Sequence, residues 1–224
     1  ICGTLFGLGG ALQTMGLELI NTGVNAFISA AYVVIVPFMV WIIEKSRPAG
    51  KVFVSAAIAM AGVTIMSITG ITSGALSMGK GEMLSLMSAF CYAGAIVTAD
   101  YFTRKTSVSL ITGMQFIFSF AVALVMALAL GEPVPSFDMV SAPIVMEFIY
   151  LVVFGTFFTQ LLFTFGVKYA SASQAGVIFP LESVSATVFG CIFLHEIMQG
   201  VQIAGSILIL LSIIISSVEF KKND

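Results

Sequence analysis

Apolar segments of helix length follow one another along this chain of 224 residues, and nearly all of its charge sits in the short breaks between them. The segments run approximately Gly3–Leu19, Val24–Ile43, Val52–Thr69, Met83–Tyr101, Ser107–Leu130, Ile144–Tyr169, Gln174–Leu194 and Met198–Val218. A membrane-spanning helix needs about 20 predominantly apolar residues, and each segment meets or approaches that length. The breaks carry turn chemistry: Asn21-Thr22-Gly23, Arg47-Pro48-Ala49-Gly50, Gly79-Lys80-Gly81 and Gly131-Glu132-Pro133. The longest break joins the fifth and sixth segments, and none has room for a soluble domain. The expected fold class is therefore all-α, a polytopic membrane helix bundle with about eight helices in this chain.

Composition excludes the alternatives. Charged residues make up 9% of the chain and hydrophobic ones 59%, whereas soluble domains carry roughly 25% charge. So little charge cannot cover a water-facing surface, and the partner of most of the surface is a lipid bilayer. The net charge of −2 and the lack of a basic run beyond Lys221-Lys222 argue against a nucleic-acid surface. Cys2, Cys91 and Cys191 lie far apart, no pair has metal-ligand spacing, and His195 is the one histidine. No metal and no cofactor are expected. The apolar run that begins beside Ile1 lacks a basic flank and a small-residue cleavage site, so it reads as a spanning helix rather than a signal peptide.

Positive charge tests the helix count, because Lys and Arg concentrate on the cytoplasmic side. If eight helices alternate, one face receives Lys45, Arg47, Lys51, Arg104, Lys105, Lys168, Lys221 and Lys222. That is eight of the nine basic residues, with only Lys80 on the other face. One missed or one extra helix would scramble this asymmetry. Both ends of the chain are accordingly expected in the cytoplasm, with the bundle in the cytoplasmic membrane.

An internal echo adds organisation. A shift of 150 residues aligns Thr14 with Thr164, Gly16 with Gly166, Ile28 with Ile178, Ser55 with Gly205 and Gly62 with Ser212. Helices one to three then correspond to helices six to eight. An odd number of helices separates the copies, so they cross the membrane in opposite senses. Inverted repeats of this kind place a substrate site near mid-membrane at their interface. The expected division is residues 1–70, three helices left of a first repeat, and residues 80–219, a complete second repeat of five. Two helices are expected to be missing from the front.

Short motifs point the same way. Ser171-Ala-Ser-Gln-Ala-Gly176, Pro180-Leu-Glu-Ser-Val184 and His195-Glu196 follow one another at the seventh helix. Asn25-Ala-Phe27 and Tyr32-Val-Val-Ile-Val-Pro37 stand in the second, and Thr98-Ala-Asp-Tyr-Phe-Thr-Arg-Lys105 closes the fourth. In their order and spacing, over nearly the whole chain, they resemble the EamA family of the drug/metabolite transporter superfamily, its bacterial members in particular. Two positions depart from the family pattern. The proline usual after the central Glu is Ser183 here, and a proline stands two residues before it instead; the lysine usual before Asn-Ala-Phe is Val24. The resemblance implies ten helices in inverted five-helix repeats, both termini cytoplasmic, and transport of small metabolites or drugs.

Transport needs polar groups that a substrate can meet inside the bundle. Glu182 is the only acid well inside a spanning segment, and charged groups there tend to face a bundle interior or a watery cavity. It reads either as a binding group for a substrate cation or a coupling proton, or as a structural carboxylate bonded to its neighbours. Pro180 removes a backbone donor and leaves a carbonyl one turn earlier unpaired, which predicts a helix kink beside Glu182. The shift of 150 makes Tyr32 the counterpart of Glu182. Gln13, Asn25 and Gln160 complete the candidate substrate-binding set. Asn25 with Ser29, Gln115 with Ser119, and Thr156 with Gln160 and Thr164 form polar stripes at helical spacing. Such stripes line cavities or join helices.

A secondary transporter of small molecules working by alternating access is the leading reading. A membrane enzyme would need a catalytic cluster, such as paired histidines, paired aspartates or a serine with a base, and no such cluster is visible. A scaffold or sensor that transports nothing is the other alternative; the inverted echo and the central carboxylate weigh against it. Substrate, direction and oligomeric state are not encoded legibly. The topology is testable by labelling: a cysteine at Ser136 should react with an impermeant reagent from outside, and reaction only after the membrane is opened would defeat the eight-helix count.

Overall fold

The computed structural model describes residues 1–20, 22–45, 48–67, 79–131, 141–193 and 200–217. Arg47, Ser136, His195, Glu196, Lys221 and Lys222 lie outside the described residues. The described ones are helical throughout, with no strand among them. In chain order the helices are α1 (Cys2–Leu19), α2 (Thr22–Ser29), α3 (Tyr32–Glu44), α4 (Gly50–Ser67), α5 (Lys80–Thr103) and α6 (Val108–Leu130). Then follow α7 (Ala142–Tyr150), a π-helical stretch (Leu151–Phe158), α8 (Thr159–Tyr169), α9 (Ala172–Ile178), α10 (Leu181–Phe193) and α11 (Gly200–Ser217).

The described helices lie along the apolar segments. Val24–Ile43, Lys80–Thr103, Val108–Leu130 and Ala142–Tyr169 are long and apolar enough to cross a bilayer. Gly50–Ile65 and Gly200–Ser216 are shorter apolar helices. Burial is inverted relative to a soluble fold. Asn25, Ser85, Ser88, Asp100, Thr112, Gln115 and Thr164 are buried, while Phe120, Leu128, Met146, Phe148 and Ile214 are exposed. Of the 23 residues of α6, only Ile111, Thr112 and Gln115 face inward, and α7 and the π stretch bury none. Apolar side chains stand outward where lipid replaces water, and polar ones turn in to find partners. The chain is a multi-pass membrane helix bundle.

Two rods are broken in mid-course. The second is interrupted at Ala30-Ala31 between α2 and α3, and the seventh at Phe179-Pro180 between α9 and α10. Pro180 explains the second break, because it cannot donate to Gly176 and the bonds from Glu182 and Ser183 shorten to Phe179 and Pro180. At the first break the bonds tighten likewise, Ala31 to Ile28 and Val33 to Ala30, although alanine favours helix and no local signal marks the place. The helix bounds repeat at the shift of 150 seen in the sequence. Thr22 and Ala172 open short helices, Tyr32 and Leu181 open their continuations to within one residue of the shift, and Gly50–Ser67 matches Gly200–Ser217.

Packing rests on small residues and β-branched side chains. Val33, Ala56, Ala59 and Val177 form one buried cluster; Ala30, Val63, Val184 and Ile209 form another. Val36, Val40, Ala93, Ile96, Val167 and Ala175 belong to a third, between α3, α5, α8 and α9. Helices α1 and α6 come close at Gly3 and Gly7, where an added Cβ would lie 2.6 Å from the Gln115 carbonyl oxygen and 2.7 Å from Ser119 Cα. Ser119 Oγ uses the approach to donate to the Gly3 carbonyl at 2.9 Å. Helix α4 meets α11 at Gly62, whose added Cβ would lie 2.8 Å from the Gly205 oxygen.

A buried acid ties α5 to the start of α9. Asp100, near the end of α5, is 2% exposed, whereas Glu182, read from the sequence as the one acid well inside a spanning segment, is exposed. Asp100 Oδ2 accepts from the backbone N–H of Ala172 at 3.0 Å. Arg104 binds both of its oxygens, through Nε at 2.9 Å and Nη2 at 3.0 Å. A carboxylate at the start of a helix satisfies a free donor and complements the positive end of the helix dipole. Ser171 and Gln174 complete a capping box at the same end. The broken rod α9–α10 is thereby anchored on α5.

Two predictions follow from the packing. Gly62→Ala should lower the thermal unfolding midpoint in detergent, by an overpacking cost of about 1–3 kcal/mol, whereas Gly113→Ala, with nothing within 4 Å, should leave it unchanged or raised. Asp100→Ala should destabilise by a similar amount, about 1–3 kcal/mol, and speed hydrogen exchange at the Ala172 amide; Asp100→Asn, which keeps an acceptor, should lose less.

Candidate functional site

The two breaks meet around one cavity. It has a volume of about 440 Å³ and lies between α1, the α2–α3 break, α5, α6, α8 and the α9–α10 break. That is the size of a small-molecule site. Tyr32 stands at the first residue of α3 and Glu182 in the first turn of α10, so the counterparts under the shift of 150 line the same space. Interrupted helices are tolerated at membrane depth where they line a cavity.

The polar groups come from four further helices. Gln13 of α1 accepts at Oε1 from the Tyr92 hydroxyl of α5 at 2.8 Å. Gln115 of α6 and Gln160 of α8 are both buried and both line the cavity. Among the described residues of the lining, Glu182 is the only charged one. The walls are aromatic. Phe179, at the break itself, packs edge-on against Tyr32 at 5.4 Å and against Phe163 at 5.2 Å, and Phe6 meets Tyr92 at 5.9 Å.

Of the residues expected from sequence, Gln13, Tyr32, Gln160 and Glu182 are brought together, with Pro180 at the break beside them. Asn25 is not. Its Nδ2 donates to the Gln13 carbonyl and to Ser85 Oγ, both at 3.0 Å, and it is buried between α1 and α5 outside the lining. Asn25 thus holds the backbone of Gln13 and joins helices. Ser29 and Ser88 extend that seam at 3.4 Å. The hydroxyls of the Thr156–Thr164 stripe bond back within their own rod: Thr164 of α8 donates to the Gln160 carbonyl at 2.8 Å, and Thr156 of the π stretch to Leu151 at 3.3 Å. Among the described residues, no group of three His, Cys, Asp or Glu could hold a metal.

Sequence reasoning passed over Tyr92, Phe6, Phe163 and Phe179. Each is one of many aromatics in an apolar helix, and only the fold separates the ones that face the cavity from those that face lipid. Tyr92 alone carried a signal, as the one hydroxyl-bearing ring in the interior of α5.

The π stretch borders the cavity through Gly155 and Thr156. In it, Thr159 Oγ1 bonds the Phe154 carbonyl at 2.9 Å. Such π segments recur at functional sites because they turn the following side chains to a new face; here the following residues are Thr159 and Gln160.

Known proteins agree with this architecture. A model of the EamA-like transporter family matches residues 79–218. A protein of Archaeoglobus fulgidus, named as an uncharacterized transporter, is 28% identical over 211 residues, which is 94% of this chain. The chain spans 65% of that relative's length. A solved structure described only as a crystal structure of a protein superposes with a TM-score of 0.77 at 16% identity, covering 96% of this chain and 73% of its own; at that identity it shows the shared fold alone. The family match takes in well over half of the residues, and the chain belongs to the EamA-like transporter family.

Proposed function

We propose that this chain works as part of a secondary transporter that carries small metabolites or drugs across the cytoplasmic membrane by alternating access. The observation that carries the reading is the meeting of Tyr32 and Glu182, each at a broken helix, in one cavity. Discontinuous helices at a repeat interface are how many transporters build a mid-membrane site. Helix bounds recurring at a shift of 150 support reading residues 1–70 and 80–219 as parts of two inverted repeats. The names of the family and of the archaeal relative support a transporter rather than an enzyme. The distribution of Lys and Arg supports a cytoplasmic C-terminus.

In this mechanism Glu182 binds either a cationic substrate or a coupling proton. It sits in the first turn of α10, where the helix dipole favours negative charge, and among the described residues no basic side chain of the lining neutralises it. Gln13 and Tyr92, bonded to each other, fix the opposite wall, and Asn25 holds Gln13 from behind. Rocking of the bundle about α3 and α9, which meet closely enough that a Cβ added at Gly176 would lie 3.3 Å from Val36 Cβ, would open the cavity to alternate sides.

The test is Glu182→Gln, which keeps size and hydrogen bonding and removes the charge. The variant should insert and fold normally, yet lose uptake or efflux in vesicles, or lose its dependence on pH. Unchanged rates across pH would remove Glu182 from the mechanism. Glu182→Leu separates a structural role, since a structural carboxylate predicts a lower yield of folded protein for Leu with Gln tolerated.

A further inference from the structure

The two ends of the cavity are built differently. Five lining residues of the seventh and eighth helical stretches are exposed: Gly155, Thr156, Thr159, Glu182 and Ser183. They lie before Phe163 along one rod and after Phe179 along the next, so both rods open away from Lys168. Toward Lys168 and Arg104 the cavity is closed. The last described lining residue of α5 is Ala99 and that of α8 is Phe163. Beyond them Val36, Val40, Val167, Ala172 and Ala175 pack around Ala99, and Phe163 meets Phe179 edge-on at 5.2 Å.

Asp100, the residue after Ala99, crosses this closed end. Its carboxylate takes the Ala172 amide at 3.0 Å, which ties α5 to α9 beside the apolar packing. In lipid, apolar packing between helices has no hydrophobic drive behind it, whereas a charge-assisted hydrogen bond is about twice as strong as a neutral one. The contact is also built to part. Arg104 grips both carboxylate oxygens from one turn along the same helix, and its side chain is 58% exposed. When α5 leaves α9 this ion pair travels with α5, so the carboxylate is spared the cost of a charge left unpaired.

The start of α5 is held in another way. Asn25 of α2 donates to Ser85 Oγ at 3.0 Å. An added Cβ at Gly16 of α1 would lie 2.7 Å from Ser85 Oγ, and one at Gly81 would lie 3.0 Å from Leu19 Cβ. These close approaches keep α5 with α1 and α2, and leave α9 as the neighbour from which it separates. Resting on the reading of this cavity as a transport site, we propose that the Asp100–Ala172 contact is the lock on its closed end. Asp100 is a positioning residue that holds α5 on α9, and the cavity opens toward Arg104 when this hydrogen bond parts while the Asp100–Arg104 pair stays whole.

The test is the separation between spin labels on Lys105→Cys and Lys168→Cys, at the ends of α5 and α8. It is measured by pulsed electron paramagnetic resonance on the protein in lipid nanodiscs, with Cys2, Cys91 and Cys191 replaced by serine. Asp100→Ala should raise the share of a longer separation at least about tenfold, as expected for the loss of one charge-assisted hydrogen bond. Asp100→Asn, which keeps an acceptor for the Ala172 amide, should raise it less. Ser85→Ala removes a buried bond at the other end of α5; it should lower the thermal midpoint and leave the separation unchanged, which distinguishes a lock from a merely stabilising contact. If Asp100→Ala fails to fold, Asp100→Asn carries the test and should still raise the share of the longer separation. An unchanged distribution in the Asp100 variants of a protein that moves a solute in vesicles would overturn the lock, and transport would then stand. A longer separation in a protein that moves no solute would support the lock and overturn transport.

Discussion

Backbone groups in lipid have no water to bond, so a spanning chain must satisfy every N–H and C=O within itself. This constraint explains both the regularity of the bundle and the location of its irregularities. The unbroken helices among the described residues can lie against lipid because their backbones close on themselves. The breaks at Ala30-Ala31 and Phe179-Pro180 are confined to rods that pack on each other inside the bundle, where tightened turns take up freed groups beside the cavity. The same logic puts Asp100 at the start of α9. A short half-helix inside the bundle has free donors at its N-terminus, and a buried carboxylate held by Arg104 supplies an acceptor.

Much of this was legible from sequence because it depends on counting. Apolar runs and the breaks between them give the rods, since lipid demands length and low charge. Pro180 announced the break in the seventh rod, as proline removes a donor wherever it stands. The break in the second rod was not legible, because Ala30-Ala31 is a helix-favouring pair and the interruption depends on the tertiary neighbours of α2 and α3. Asp100 was hidden for a related reason. In sequence it belongs to a charged helix end, Asp100-Tyr-Phe-Thr-Arg104-Lys105, where a water-facing position is ordinary. Its burial follows from the arrival of Ala172, 72 residues further along.

The polar stripes show where periodicity stops being informative. Asn25 and Ser29 lie four residues apart, as do Gln160 and Thr164, so both pairs share a helical face. The first pair joins α2 to α5 through Ser85 and Ser88. The second splits, with Thr164 bonded back to its own helix and Gln160 lining the cavity. Spacing identifies a face, and which neighbour meets the face is decided by residues far along the chain. The carboxamides differ from the hydroxyls because their longer side chains cannot fold back as readily onto a carbonyl one turn earlier.

The two halves of the site share geometry but not chemistry. Gly62 packs on Gly205, and their counterparts under the shift of 150, Ser212 and Ser55, are both fully buried. The framework is thus close to symmetric where α4 meets α11. At the breaks, the symmetric positions hold a tyrosine and a carboxylate. Two carboxylates at these positions would repel each other across one cavity of low polarity, and two tyrosines would leave it without charge. One of each gives a single negative centre on one side of a near-symmetric pocket.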